Sequence, residues 1–154
     1  MATAAVIDTR RPALPLRCTF DPEDWFVLAR HWYPVALARE VGPKPIGTKL
    51  LDQPLVIYKS GDEVVVALDV CPHRGVPLSL GTQQAGGVVC AYHGLKFGTG
   101  GKCVHVPAHP ARDIPERLNL TTYPSFERYG PSAATCRSPR RWRFISPTRT
   151  GSSS

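Results

Sequence analysis

The sequence predicts a mainly β protein: a small antiparallel sandwich or open barrel with two projecting loops and one short N-terminal helix. Three observations carry that expectation. From Leu50 onwards, short runs rich in Val, Leu and Ile recur, each closed by Gly, Pro, Ser or Asp. A helix start is written once, at Asp21-Pro22-Glu23-Asp24. Two stretches crowded with Pro and Gly, 71–81 and 87–97, interrupt the strand pattern and read as loops. The 154 residues suffice for one domain, not two.

Residues 1–19, rich in Ala, Pro and Arg, are expected to be disordered. Asp21 then offers an N-cap carboxylate, Pro22 a pre-set first helical position, and Glu23 and Asp24 charges suited to the positive helix end. Trp25–Ala29 continues the helix, and Trp32-Tyr-Pro-Val-Ala36 reads as extended. Pro43-Lys-Pro45 marks a turn. Leu50-Leu51 and Leu55–Tyr58 flank a Pro break, and Ser60-Gly61-Asp62 reads as a hairpin turn. Glu63–Asp69 forms a strand leading into the first loop, and Gly86–Val89 leads into the second. Lys96-Phe97, the Gly98–Gly101 turn and Lys102–Val106 make the following hairpin. Leu118–Tyr123 and Phe126–Tyr129 are the last expected strands, and no internal repeat is present.

The loops carry the chemistry. Cys71-Pro-His73 and Cys90-Ala-Tyr-His93 each pair a thiol with an imidazole, with 16 residues between them. Two Cys on one iron and two His on the other is the ligand set of a Rieske-type 2Fe-2S cluster. Tight loops suit such a cluster, because its sulfurs need backbone N–H donors to spread their negative charge. Tetrahedral zinc uses the same residue types. Zinc sites, however, group like ligands as C-x(2–4)-C and H-x(3–5)-H pairs, which this pattern does not match. Four unliganded Cys and His in this order are the remaining alternative.

Cys71-Pro-His-Arg-Gly-Val-Pro-Leu-Ser-Leu-Gly81 and Cys90-Ala-Tyr-His-Gly-Leu-Lys-Phe97 make the chain resemble the N-terminal domain of Rieske-type aromatic-ring oxygenase terminal components. The resemblance runs over 20–130. His31-Trp-Tyr-Pro-Val35 and Glu40-Val-Gly42 resemble the N-terminal segment of oxygenase large components, which Rieske ferredoxins tend to lack. Pro77-Leu-Ser-Leu-Gly81 and Tyr123-Pro-Ser-Phe-Glu-Arg-Tyr-Gly130 look most like the vanillate O-demethylase, dicamba-monooxygenase and phthalate-dioxygenase group. It implies that Cys71, His73, Cys90 and His93 bind the cluster, with a reductase or ferredoxin as electron donor. It further implies aromatic acids or methoxy-aromatics as substrates of the full-length enzyme, and homo-oligomers across whose subunit boundary electrons pass. Respiratory-type members add a Cys in each loop, forming a disulfide. Here Arg74, Gly75 and Val76, and Gly94 and Leu95, leave none, so a potential at the negative end of about −150 to +300 mV is implied. Arg74 and Lys96 are candidates to guide an acidic donor.

The family pattern departs after Gly130, where an apolar Trp-containing strand is expected. Residues 131–154 instead hold three Pro, five Arg, many Ser and no acid. That change suggests a frameshifted or truncated reading frame; a basic disordered tail is the alternative. By resemblance, the family's mononuclear Fe(II), held by two His and a carboxylate, belongs to a missing domain, and this chain has no catalytic residues. His31 reads as a packed or surface residue. His105 and His109 flank Pro107 and share no helical face, and Cys103-Val-His105 lacks a second-loop partner. A free-standing Rieske ferredoxin-like electron carrier is the alternative function.

Net charge is +7, but the arginines of 131–154 leave only +2 on residues 1–130, which argues against a nucleic-acid partner. No apolar run reaches the ~18–20 residues of a membrane span. The first ten residues reverse the order of a secretory signal. Five Cys at irregular spacing fit a reducing compartment, so a cytoplasmic protein is expected.

Overall fold

A computed structural model of the chain describes residues 14–110, 112–129 and 141–145. Its central layer is a four-stranded antiparallel sheet in the order β2-β3-β4-β9, formed by Ile46–Leu50, Gln53–Ser60, Glu63–Leu68 and Thr122–Tyr123. The apolar runs of β3 and β4 are continuous because both faces of this sheet are covered. Val56 and Tyr58, with Val65 and Ala67, face one core. Leu55 and Ile57, with Val66, alternate to the other. The first core is completed by a second sheet, β5-β6-β7-β8, comprising Thr82–Gln84, Gly87–Val89, Lys96–Phe97 and Cys103–His105. The second is completed by Ala36 of β1 (Tyr33–Leu37) and by Val41. Each Val, Leu or Phe so buried contributes roughly 1.5–3 kcal/mol.

The short helix α1 spans Pro22–Leu28, with Asp21 accepting a 2.9 Å bond from the N–H of Glu23 as its cap. Seven residues cannot hold a helix in isolation. Packing does so: Trp25 is 1% exposed, and its Nε1 donates to the Leu51 carbonyl at 2.8 Å. Leu51 and Asp52 form the β2–β3 turn with positive φ. Asp52 accepts bonds from the Thr19 N–H at 2.8 Å and hydroxyl at 2.6 Å, and pairs with Lys49 at 3.2 Å. Ordered contacts therefore begin before Phe20, inside the stretch expected to be disordered; residues 1–13 lie outside the described residues.

The Thr19 hydroxyl and N–H hold the Asp52 carboxyl below its ordinary pKa. A carboxylate so depressed stabilises the fold above its unfolded pKa of about 3.9 and stops doing so as pH falls through the lower folded value. The stability difference between wild type and Asp52→Asn should therefore be constant near neutrality and shrink below about pH 4. Thermal melts from pH 7 to pH 3 check this; a difference that grows on acidification would refute it.

Three expectations need correction. Pro54 is no break, since it pairs opposite Lys49 inside β3 and uses only its carbonyl, which accepts from Asp69. The strand expected over Leu118–Tyr123 shrinks to Thr122–Tyr123. A 3-10 turn occupies Glu116–Leu118, the Asn119 side chain accepts from the N–H of Cys103, and Leu120 N donates to Gly101. Third, part of the stretch after Gly130, read as frameshifted or as a disordered tail, pairs as a strand. β10 (Ser125–Tyr129) and β1 both flank β11 (Arg141–Ile145), antiparallel, so this part of the tail supplies a strand. Residues 130–140 and 146–154 lie outside the described residues.

Side chains join the β5–β8 sheet to the central layer. The Tyr58 hydroxyl donates to the Gly98 carbonyl at 2.7 Å and the Ser60 hydroxyl to that of Gly86 at 3.1 Å. Burial pushes the Tyr58 phenol far up, so it stays a donor. The Gln83 amide takes the place of a strand beside β3, accepting from Lys59 N at 3.2 Å and donating to Lys59 O at 2.6 Å.

Candidate metal centre

Two loops built to one plan follow β4 and β6. In the first, Cys71 N donates to Val76 O at 2.9 Å and Gly75 N to Cys71 O at 2.8 Å. In the second, Cys90 N donates to Leu95 O at 2.9 Å and Gly94 N to Cys90 O at 3.1 Å. Gly75 and Gly94 occupy the same place in each, at φ 72° and 70°, a left-handed conformation that L side chains avoid. That shared turn is why each Cys is followed four residues on by Gly.

The loops bring the four candidate ligands together as two pairs. Cys71 and Cys90 are 2% and 3% exposed, with their thiols within hydrogen-bonding reach of each other. Burial pushes the Cys71 thiol above its ordinary value. The backbone N–H groups of His73 and Arg74 act against that by favouring the thiolate. These are donors of the kind that the expected cluster sulfurs require. His73 and His93 are exposed, with ring centroids 4.7 Å apart at 65°. Tyr92, 61% exposed, tilts against His93 at 3.8 Å.

Among the described residues, no three His, Cys, Asp or Glu side chains gather around one point as a single ion needs. Zinc would require four donors about 2.0–2.3 Å from one centre. A buried thiol pair beside an exposed imidazole pair instead suits a two-iron cluster whose irons have different ligands. The donor set and its division therefore fit a 2Fe-2S group of the Rieske kind.

The spare residues do not join the centre. His31 and His109 are exposed. Strand alternation would put Cys103 and His105 on one face, but Cys103 is only 7% exposed while His105 is exposed. A register shift between Lys96 and Phe97, opposite these residues, breaks the alternation. Burial pushes the Cys103 thiol up, as befits an inert core residue. Cys18, Cys71, Cys90 and Cys103 are all free thiols. Arg74 is exposed beside His73, whereas Lys96 Nζ is engaged by the Ala85 carbonyl at 2.7 Å. Sequence reasoning passed over Asp69, which accepts from Ser79 across the first loop. Its only local signal is an acid ending an apolar strand two residues before Cys71.

The model of the Rieske [2Fe-2S] domain matches residues 31–124. With the centre described above, this makes the chain a member of the Rieske [2Fe-2S] domain family. It is similar to the oxygenase component of dicamba O-demethylase from Stenotrophomonas maltophilia, at 48% identity over 98 residues, 63% of this chain and 29% of that protein. It is 37% identical over 100 residues to the vanillate O-demethylase oxygenase subunit of a Pseudomonas species, covering 64% of this chain and 27% of the relative. The solved structure of apo dicamba monooxygenase superposes with a TM-score of 0.66 at 38% identity, over 79% of this chain and 33% of that one. That of the methylxanthine N1-demethylase of Pseudomonas putida gives 0.67 at 32% identity, over 82% and 36%. The chain thus spans about three-tenths of the length of these curated relatives. No helix among the described residues is long and apolar enough to cross a membrane.

Proposed function

We propose that this chain is the electron-transfer domain of a non-haem iron oxygenase component that acts on aromatic acids or methoxy-aromatics. The observation that carries the reading is the buried thiol pair against the exposed imidazole pair on two like loops. Cys71 and Cys90 would hold the inner iron as thiolates, and His73 and His93 the outer one. When bound, the cluster stores and releases one electron. The chain's residues do the rest. Backbone N–H groups of His73 and Arg74 offset charge on the Cys71 sulfur, Leu78, Leu95 and Phe97 exclude water from the thiols, and the imidazoles face solvent where a donor can reach them. That donor is a reductase or ferredoxin, met in the reducing cytoplasm, and Arg74, exposed beside His73, is placed to attract its acidic surface. The family's mononuclear iron belongs to the rest of the oxygenase, reached across a subunit boundary in a homo-oligomer. The pairing of β11 with both β1 and β10, which joins those two strands into one sheet within this chain, favours a second reading as a free-standing electron carrier.

Anaerobic purification tests the proposal. The 154-residue chain should be brown, hold two iron and two acid-labile sulfide in the manner of a 2Fe-2S protein, and give a Rieske-type EPR signal when reduced. Supplied with a reductase and O₂, it should take up electrons and leave aromatic acids unchanged. Stoichiometric zinc without sulfide would overturn the cluster, and turnover of an aromatic acid would overturn the division of labour.

A further inference from the structure

The two ligand loops are alike in their turns but are held differently at their ends. The second is flanked by a ladder, because Val89 of β6 pairs with Lys96 of β7 on either side of Cys90–Leu95. The first runs from the end of β4 to a 3-10 turn, Leu78–Leu80, with no ladder between its ends. In its place stands one side chain. Asp69, 9% exposed, accepts from the Ser79 N–H at 2.8 Å and from the Ser79 hydroxyl at 2.5 Å. The Asp69 N–H is itself fixed to Pro54 O at 3.0 Å. Ser79 is also gripped from the other side. A Cβ at Gly47 of β2 would lie 2.8 Å from the Ser79 Cβ and 2.9 Å from its Oγ, so only glycine leaves Ser79 its present seat. Beside it, Leu78 is fully buried.

We propose that Asp69, Ser79 and Gly47 form a clasp that sets the Cys71–His73 loop against the Cys90–His93 loop, making Asp69 and Ser79 positioning residues for the cluster. The inference rests on the cluster-binding reading above. A carboxylate bridging residues 69 and 79 fixes both ends of the segment that presents Cys71 and His73. Loosening it leaves the second loop in register and frees the first, so the two ligand pairs drift relative to each other.

Ser79→Ala and Gly47→Ala test the clasp from opposite sides in the 154-residue chain. Ser79→Ala keeps the backbone bond to Asp69 and loses only the hydroxyl, so it should fold. Each variant should show wild-type far-UV circular dichroism and shifted g-values in the reduced EPR spectrum. Each should also release iron to a chelator about fivefold faster, the equivalent of one ordinary hydrogen bond. Unchanged g-values and release rate in a folded Ser79→Ala, even with a lower melting temperature, would overturn the proposal and leave the clasp a purely structural contact. Should Gly47→Ala fail to fold, Ser79→Ala decides alone. A wild-type chain that takes up neither iron nor sulfide would refute the cluster reading itself, and the clasp with it.

Discussion

Cys71→Ser and Cys90→Ser should each yield a folded, colourless protein with neither stoichiometric iron nor labile sulfide. Both thiols lie inside the core that also holds Val88, Leu95 and Phe97, so a missing sulfur cannot be replaced by a water or a distant side chain. Serine is close to isosteric, and its hydroxyl can use the backbone donors that face Cys71, which keeps the loop intact. The imidazole side should behave differently. His73→Cys or His93→Cys supplies another competent ligand at an exposed position and should retain a cluster. An added thiolate places negative charge on it, so the potential should fall from the Rieske range of about −150 to +300 mV towards the about −400 mV of all-thiolate clusters. Iron and sulfide assay with a redox titration of the EPR signal reads both effects. A Cys71→Ser protein with full cluster content would refute the ligand assignment.

Trp25→Ala should cost about 3–5 kcal/mol, as removal of a fully buried aromatic ring does. The ring is the means by which a seven-residue helix holds to the β2–β3 turn, through its burial and its Nε1 bond to the Leu51 carbonyl. Trp25→Phe retains most of the volume and loses only the hydrogen bond, and should cost about 1 kcal/mol for that bond besides any packing defect. Urea titrations of the three proteins measure the difference. Because Trp25 belongs to neither ligand loop, the EPR spectrum of loaded Trp25→Ala at low temperature should match wild type. A loss well under 1 kcal/mol would show that α1 is not anchored by this residue.

Several features were legible because their signals are local. Asp21-Pro22-Glu23 stated the start of α1, and Gly61-Asp62 between two β-branched runs stated the hairpin joining β3 to β4. What escaped depends on partners distant in sequence. The three-residue β5 carries no apolar alternation, and its Gln83 acts on Lys59, 24 residues away. β11, Arg141-Trp-Arg-Phe-Ile145, alternates Arg with strand-favouring Trp and Phe, but the Pro, Arg and Ser around it hide that short signal, and its place between two strands shows only in the tertiary pairing.

By itself the sequence determined the mainly β class, the short capped helix and the two Cys/His loops with the cofactor chemistry they imply. Each of these is set by residue type and spacing within a dozen positions. Only the tertiary structure decided that the thiols are buried and the imidazoles exposed, and that Cys103 and His105 face opposite ways. It alone decided that Asp69 and Ser79 close the first loop. The physical reason is common to all three. Burial, a register shift between paired strands and a carboxylate reaching ten residues along the chain are properties of neighbours in space, and no local sequence pattern encodes them.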